Sequence, residues 1–242
     1  MANPPALTVD QLRTEIEAGD IDTVVVAFTD MQGRLQGKRR QGDDLRPALD
    51  PAAQQVALAQ LAGRPGAVVA LDPRTGRVRV MASVPGYAPN TLRSAAQTTR
   101  LNTAPGSPLF NRVTQAGYPP GSTFKLVTAA AALESGRYTS TSVVPGPASI
   151  KLPNRTRELK NWTGSACGPN GTTTLQNALA VSCNTAFASI GMDLGADALR
   201  EQAEKFGFNN SFQVPLRAAQ SRFPADLDPA QTAMAAIGQF DV

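Results

Sequence analysis

Residues 119–134 have the sequence PPGSTFKLVTAAAALE, in which a Pro-Gly turn leads into a long apolar run. The apolar residues continue around nearly all sides of a helical repeat, so we predict a core helix over residues 121–136. Ser122 and Lys125 lie three residues apart at its start and therefore on one face. Burial would lower the pKa of the Lys125 amine, and the neutral amine could then take the proton of the Ser122 hydroxyl. The free amide groups at the helix start would also stabilise an oxyanion.

A Ser-x-x-Lys pattern alone is weak evidence, because thirteen Ser and five Lys give about 0.3 matches by chance. The structural alternative is a capping serine beside a lysine whose charged end reaches solvent. A second pair of polar residues, Ser182 and Asn184, lies in the apolar segment VSCNTAF (181–187). Buried polar side chains need partners, and a Ser-Lys pair facing the same cleft would supply them. For this pair too, a simple helix cap remains the alternative.

The composition excludes several kinds of site. The 242 residues include no histidine, which removes Ser-His-Asp and Cys-His triads and HExxH zinc sites. Aromatic residues make up only 5% of the chain, and the single basic run is Lys38-Arg39-Arg40, so the net charge of +4 does not indicate a nucleic-acid partner. We predict no cofactor and no metal site.

The two cysteines, Cys167 and Cys183, are 16 residues apart and lack CxxC spacing. Without histidine to complete a metal shell, zinc binding is not expected. They could be two reduced thiols or one local disulfide, and only a disulfide would imply an oxidising compartment.

Outward from the central helix, the chain divides into two pieces that meet near Gln41. The first piece, residues 1–40, has the pattern of a helix ending at Gly19, a strand over 21–28, a turn at 29–33 and a second strand over 34–38. The second piece, residues 41–242, is predicted to contain a helix (51–61), a hairpin (66–71 and 77–83), a loop (85–120), coil (137–171) and helices at about 173–191, 195–206 and 228–238. No segment reaches the roughly 18 apolar residues that span a bilayer, and the first residues lack a signal-peptide pattern, so we expect no anchor or export signal in this chain.

Taken together and in order, these motifs resemble those of the penicillin-binding transpeptidases, serine acyltransferases that bind β-lactams. The stretches that carry the resemblance are DPAAQQ (50–55), GAVVALDPRTGRV (66–78), YPPGSTFK (118–125), SCNTAF (182–187) and AIGQ (236–239). They cover about residues 41–242 and are most similar to class B enzymes of the actinobacterial type. The implied fold class is α+β, a partial penicillin-binding/β-lactamase-like fold in which a sheet hairpin accompanies a helical subdomain, preceded by the small helix-hairpin segment.

The resemblance also implies roles for individual residues. Ser122 would be the acylated nucleophile and Lys125 its general base, while Ser182 would relay a proton to the leaving amine and Asn184 would orient the substrate amide and the lysine. Family members can pair cysteines placed like Cys167 and Cys183. The implied partners are peptidoglycan stem peptides and β-lactam antibiotics. The implied location is the extracytoplasmic face of the plasma membrane, where family members are anchored.

The third motif of the family, Lys-Thr/Ser-Gly on a strand that lines the pocket, has no counterpart after the second motif. The similar triplet Arg74-Thr75-Gly76 lies in the predicted hairpin turn, where only a turn role makes sense. We therefore expect a C-terminally truncated domain with weak or no activity, because losing one oxyanion donor lowers a rate by about a hundredfold or more.

The alternative is a noncatalytic fusion fragment. A β-lactamase is disfavoured because no Glu follows the second motif in a position to activate water. A D,D-carboxypeptidase stays open.

The first 40 residues carry a different resemblance. DTVVVAFTDMQGRLQGKR (22–39) is similar to the opening of the small N-terminal β-grasp domain of the glutamine synthetase family. That family's ATP, metal and glutamate ligands belong to a catalytic domain that this sequence does not match, and no phosphate-binding glycine loop is present. An ATP-dependent ligase is therefore the weakest alternative, and no functional residue follows from this resemblance.

Overall fold

The computed structural model describes residues 23–29, 35–41, 49–88, 94–211 and 218–242. The chain divides into two compact units, Met1–Ala116 and Gly117–Val242. The boundary predicted near residue 41 stays a prediction. Within the described residues, no helix has both the length and the apolar character needed to cross a membrane.

The first unit opens with the predicted N-terminal hairpin. Strand β1 (Thr23–Thr29) pairs antiparallel with β2 (Leu35–Gln41), in a register that places Val26 opposite Lys38. This confirms the hairpin itself. The predicted helix ending at Gly19 lies outside the described residues.

The second hairpin of this unit carries a helix on one face. Helix α1 (Pro51–Leu61) precedes the antiparallel strands β3 (Gly66–Leu71) and β4 (Val78–Val84). Its core is small and apolar, consisting of Ala57, Val80 and Ala82. The turn between the strands is closed by the Asp72 carboxylate, which accepts hydrogen bonds from the backbone amides of Arg74 (2.9 Å) and Thr75 (3.1 Å). The triplet Arg74-Thr75-Gly76 therefore has the turn role predicted for it.

The prediction of an unbroken loop over residues 85–120 was wrong in part. Two short helices form there, α2 (Ala95–Asn102) and α3 (Arg112–Gln115). Each begins at a polar cap, since Ser94 accepts from the amide of Gln97 and Asn111 accepts from that of Val113. In a stretch rich in Pro, Gly, Ser and Asn, the same residues are typical of loops, and this obscured the helix starts.

The second unit consists mainly of helices, with several short strands. Its elements, in chain order, are a 3₁₀ turn (Gly121–Phe124), α4 (Lys125–Glu134), β5 (Val143–Pro145), β6 (Ser149–Lys151), β7 (Glu158–Lys160), a 3₁₀ turn (Pro169–Gly171), β8 (Thr172–Thr174), α5 (Leu175–Ala180), α6 (Asn184–Leu194), α7 (Ala196–Lys205) and α8 (Pro229–Ala235). Strand β5 pairs with β8 and β6 pairs with β7, both antiparallel. The region predicted as mostly coil, 137–171, thus contains three short strands.

Helices α4 and α6 form the centre of this unit. Phe187 and Ile190 of α6 are fully buried against the alanines of α4. At the start of α4, the buried ring of Phe124 packs edge-on against Phe208, with ring centroids 5.5 Å apart, and stacks on Phe223 at 5.6 Å. Phe124 lies between Ser122 and Lys125, so this aromatic packing fixes the turn that carries both.

The predicted helix over 173–191 is in fact two helices. Helix α5 ends at Ala180 and α6 begins at Asn184, with Ser182 between them at φ +56°. A left-handed residue cannot continue a right-handed helix, so the chain turns here. The predicted helices at 195–206 and 228–238 are confirmed as α7 and α8, each slightly shorter than expected.

Candidate active site

Lys125 is the centre of a polar cluster that joins the two predicted motifs. Its side chain is fully buried. The Nζ atom lies 3.2 Å from Ser122 Oγ, 3.0 Å from Ser182 Oγ, 2.8 Å from the Ser182 carbonyl oxygen and 2.6 Å from Asn184 Oδ1. The structure thus brings together all four residues singled out in the sequence.

The local structure explains why Ser122 and Lys125 meet. Residues 121–124 form a 3₁₀ turn that passes into α4 at Lys125. Side chains three residues apart are nearly eclipsed in a 3₁₀ helix, so the serine hydroxyl lies over the lysine amine. Ser122 remains exposed while Lys125 is buried. The hydroxyl is therefore open to a substrate while the amine behind it is shielded from water.

Burial determines the protonation of the lysine. Removing the ammonium group from water lowers the pKa of Lys125 from 10.5 to about 8. At pH 7 roughly one amine in ten is then neutral, compared with about one in three thousand for an exposed lysine.

The four neighbours of Nζ also orient the neutral amine. A neutral amine has two N–H groups and one lone pair, whereas the Ser182 carbonyl and Asn184 Oδ1 can only accept hydrogen bonds. These two oxygens are also the nearest neighbours, at 2.8 and 2.6 Å, so they take both N–H groups. The single lone pair of the neutral amine then faces the hydroxyls of Ser122 and Ser182 and can accept a proton from one of them at a time, which is the arrangement that a general base requires.

The interruption between α5 and α6 supplies one of these acceptors. If the helix continued through Ser182, its carbonyl would be committed to a hydrogen bond within the helix. The turn at φ +56° frees that carbonyl to accept from Lys125. A non-glycine residue in this conformation is held at some energetic cost, which is common where a functional site requires it.

The side-chain amide of Asn184 is oriented from strand β7. Its Nδ2 donates to the backbone carbonyl of Lys160 at 3.1 Å. Because that contact requires the nitrogen end of the amide, the oxygen end faces Lys125.

A disulfide anchors the residue between Ser182 and Asn184. The structure joins Cys183 to Cys167, with the two Cα atoms 6.0 Å apart. Cys183 is buried, and the amide of Cys167 donates to the carbonyl of Gly146 at 2.8 Å. The second motif is therefore tied to the loop that precedes it.

The turn carrying Ser122 is held by a close backbone approach that the sequence reasoning missed. The amide of Gly121 donates to the carbonyl of Gly238 at 2.9 Å. A Cβ on Gly238 would lie 2.6 Å from the Gly121 nitrogen and closer still to its carbonyl oxygen. Only glycine fits at position 238, which also has a φ of +70°.

Gly238→Ala is expected to destabilise this unit by about 2 kcal/mol or more and to displace the Ser122 turn, because the new methyl group must push Gly121 away. The matched control is Gly136→Ala, since Gly136 has the same φ of +70° but nothing within 4 Å of the position that its new methyl group would take. Thermal unfolding of both variants separates backbone strain from the clash. Equal losses in the two would contradict the close-approach account.

The sequence also did not single out Asn161, whose buried amide contacts the start of α6. Nothing in the local pattern of its segment marks it, because its contact with α6 is made 24 residues away in sequence. Within the described ranges, no three or more Cys, Asp or Glu side chains are grouped so as to hold a metal ion.

The comparisons with known proteins agree with this geometry. The family described as "Penicillin binding protein transpeptidase domain" matches residues 66–239. The chain belongs to this family. The match includes the β3–β4 hairpin, Ser122, Lys125, Ser182 and Asn184, and the family has the α+β fold expected from the sequence.

Individual members of the penicillin-binding transpeptidase family are similar to this chain in sequence. Peptidoglycan D,D-transpeptidase PbpA of Mycolicibacterium smegmatis is 39% identical over 218 residues, which is 85% of this chain and 44% of the relative. The Escherichia coli K12 protein MrdA, also named a peptidoglycan D,D-transpeptidase, is 34% identical over 183 residues, covering 74% and 28% of the two chains. The chain spans less than half the length of these relatives.

A solved structure gives the same result. Penicillin-binding protein A from M. tuberculosis, as its penicillin G acyl-enzyme complex, has a TM-score of 0.74 and 41% sequence identity to this chain. The similarity covers 81% of this chain and 47% of that one. The fold of the chain is thus that of the class B penicillin-binding proteins.

Proposed function

We propose that this chain carries the acyl-transfer centre of a peptidoglycan D,D-transpeptidase, with Ser122 as nucleophile and Lys125 as general base. The observation that carries the proposal is the buried Lys125 amine, whose Nζ lies 3.2 Å from the Ser122 hydroxyl and 3.0 Å from the Ser182 hydroxyl. The names of the relatives, peptidoglycan D,D-transpeptidases, support the reaction class.

In the first step, Ser122 Oγ attacks the carbonyl carbon of the penultimate D-Ala of a stem peptide, and its proton passes to neutral Lys125. The bond to the terminal D-Ala nitrogen then breaks. The leaving amine takes a proton that comes from Lys125 through the Ser182 hydroxyl, which lies 3.0 Å from Nζ. The product of this step is an acyl-enzyme ester on Ser122.

In the second step, the amine of another stem peptide attacks the ester. It loses a proton to Lys125 by the reverse relay, and Ser122 leaves with a proton restored to its oxygen. Asn184 holds Lys125, because its Oδ1 lies 2.6 Å from Nζ. Its second role, orienting the substrate amide, is the one that the family resemblance implies. Water in place of the second amine would give a D,D-carboxypeptidase with the same residues.

A β-lactam enters the first step only, since its leaving amine stays attached to the acyl group. Penicillin is therefore the natural probe, as the acyl-enzyme complex of the M. tuberculosis relative indicates for that protein. The proposed place of action is the extracytoplasmic face of the plasma membrane, where stem peptides are cross-linked. Residues 1–40 have no role in this proposal, and their resemblance to the glutamine synthetase family stays a prediction.

We expect the polypeptide of residues 1–242, taken alone, to be acylated slowly, because no Lys-Thr/Ser-Gly triplet follows the second motif to supply a further oxyanion donor. The competing function is a noncatalytic fusion product.

Covalent labelling with a fluorescent penicillin separates the two. The proposal expects a labelled band that survives denaturation, grows over hours and disappears when unlabelled penicillin competes. A folded chain that acquires no label after prolonged incubation would favour the noncatalytic alternative.

The rate of this labelling is expected to depend on pH through Lys125. The folded pKa of about 8 lies below the ordinary value of 10.5, and only the neutral amine accepts the serine proton. The rate should therefore rise about tenfold per pH unit below pH 7.5 and level off above about pH 9. Labelling rates across pH 6–9.5 test this, and a flat profile would contradict the assignment of Lys125 as the base.

A further inference from the structure

Asn161 is a buried side chain with every hydrogen-bonding position in use. It is 7% exposed. Its Nδ2 donates to the backbone carbonyls of Pro147 (2.8 Å) and Ser165 (2.9 Å), while its Oδ1 accepts from the backbone amide of Thr185 at 3.0 Å. A fully satisfied buried amide holds its neighbours in one arrangement.

The contact with Thr185 takes the place of a helix cap. Helix α6 begins after Cys183, which occupies the N-cap position, and the side chain of Cys183 caps no backbone amide. Its sulfur is committed to the disulfide with Cys167. The amide of Thr185, which an N-cap side chain normally satisfies, is satisfied by Asn161 from a different segment of the chain.

The residue before Asn161 makes a complementary contact. The carbonyl of Lys160 accepts from Nδ2 of Asn184, and the side chain of Asn161 accepts from the backbone of Thr185. Lys160, the last residue of β7, thus holds Asn184 through its backbone carbonyl. Asn161, which follows it, holds Thr185 through its side chain. This pair of contacts, which we call the β7 clamp, fixes both the position of the helix start and the direction of the Asn184 amide.

We propose that Asn161 is a positioning residue for acyl transfer, which it serves by holding the second motif against Lys125 through the β7 clamp. This inference rests on the proposed function. Asn161 touches neither Lys125 nor Ser122, so its effect passes through Asn184 and the turn at Ser182. A displacement of about 1 Å at such groups lowers a rate by about a hundredfold.

The test compares Asn161→Ala with Asn161→Asp in the full chain. The alanine removes every hydrogen bond of the Asn161 side chain, including a second one from Thr185, whose Oγ1 lies 3.2 Å from Oδ1. The aspartate keeps an oxygen for the amide of Thr185, but its second oxygen faces the carbonyls of Pro147 and Ser165 and can donate to one of them only when protonated. Penicillin labelling is measured over a range of concentrations, at a temperature well below the melting point of each variant, so that the rate at saturation is separated from the affinity. We expect Asn161→Ala to lower the saturating rate by about 10- to 100-fold and Asn161→Asp, which keeps the contact with Thr185, to lower it less.

Gln202→Ala is the control for general destabilisation. Gln202 is also buried, at 4% exposure, and its side chain donates to Glu134 away from the cluster. The saturating labelling rate of Gln202→Ala should stay within about twofold of that of the parent chain. An equal loss of rate in Asn161→Ala and Asn161→Asp, or a similar loss in Gln202→Ala, would overturn the proposal.

Hydrogen exchange at the Thr185 amide gives a readout that needs no activity. The clamp predicts fast exchange in Asn161→Ala and protection in both Asn161→Asp and the parent chain. If the parent chain is never labelled by penicillin, the proposed function fails. The hydrogen-exchange result then tests only whether Asn161 holds the Thr185 amide. Unchanged protection in Asn161→Ala would overturn the clamp whatever the labelling result.

Discussion

Ser122→Ala is expected to abolish covalent labelling by penicillin completely, while leaving the fold intact. The acyl group bonds to the Ser122 oxygen. Of the other groups in the cluster, Lys125 is fully buried, Asn184 is not a nucleophile, and Ser182 acts as the proton relay in the proposed mechanism. Ser122 itself is exposed, so the loss of its hydroxyl should change the free energy of unfolding by less than about 0.5 kcal/mol. Gel fluorescence after incubation with a fluorescent penicillin, together with a thermal melt, measures both quantities.

The neighbouring hydroxyl provides the control for this variant. Thr123 is also exposed, but its Oγ1 donates to the carbonyl of Pro120 at 2.7 Å and has no contact with Lys125 among those described. Thr123→Ala should therefore still be labelled. Labelling of Ser122→Ala at the parent rate, or its loss only in Thr123→Ala, would contradict the assignment of the nucleophile.

Lys125→Met is expected to lower the rate of acylation by about 10²- to 10⁴-fold, which is the usual contribution of a general base. Methionine has a similar length and fills the same buried space, so the change mainly removes the amine. Ser122 would remain in place but would have no group to accept its proton. The labelling rate measured at pH 8.5, where the parent amine is largely neutral, gives the largest difference between the two proteins.

The stability of Lys125→Met should change only modestly, because two effects oppose each other. The substitution removes an ionisable group from a buried position, but it also leaves the Ser182 carbonyl and Asn184 Oδ1 without their donor. Lys205→Met is the control, since Lys205 is exposed and pairs with Glu134 at the surface. A Lys125→Met protein that labels as fast as Lys205→Met would show that the amine is not the base.

The proximity of the candidate site residues could be predicted from the sequence because each pair depends on local spacing. Ser122 and Lys125 share a helix turn, so their proximity follows from the helical repeat alone. Ser182 and Asn184 are polar side chains in an apolar segment and therefore need partners, and the structure supplies Lys125 as that partner.

The interruption at Ser182 could not be predicted in the same way. The apolar spacing of residues 175–187 continues across the break without a Gly or Pro, so periodicity favours one helix. What ends α5 is the tertiary contact of the freed Ser182 carbonyl with Lys125, together with the disulfide at Cys183. Tertiary contacts of this kind override local helix propensity.

Asn161 and Gly238 were missed for a related reason. Each acts on a residue far away in the sequence, Asn161 on Thr185 and Gly238 on Gly121. An asparagine in a coil segment and a glycine after a helix are common, and both are ordinary in their local context. Their importance becomes visible only when the backbone approach or the hydrogen-bond partner is known.

In the proposed mechanism a buried Lys125 amine activates Ser122, and the residue that becomes acylated can be identified directly. After prolonged incubation with penicillin, trypsin should release residues 113–125 of the parent chain and residues 113–137 of Lys125→Met, because Arg112, Lys125 and Arg137 are the cleavage points. Fragmentation mass spectrometry is expected to place the penicilloyl group on Ser122 in the parent peptide and not in that of Lys125→Met treated for the same time. An adduct on another residue, or no adduct in a folded parent chain, would contradict the account.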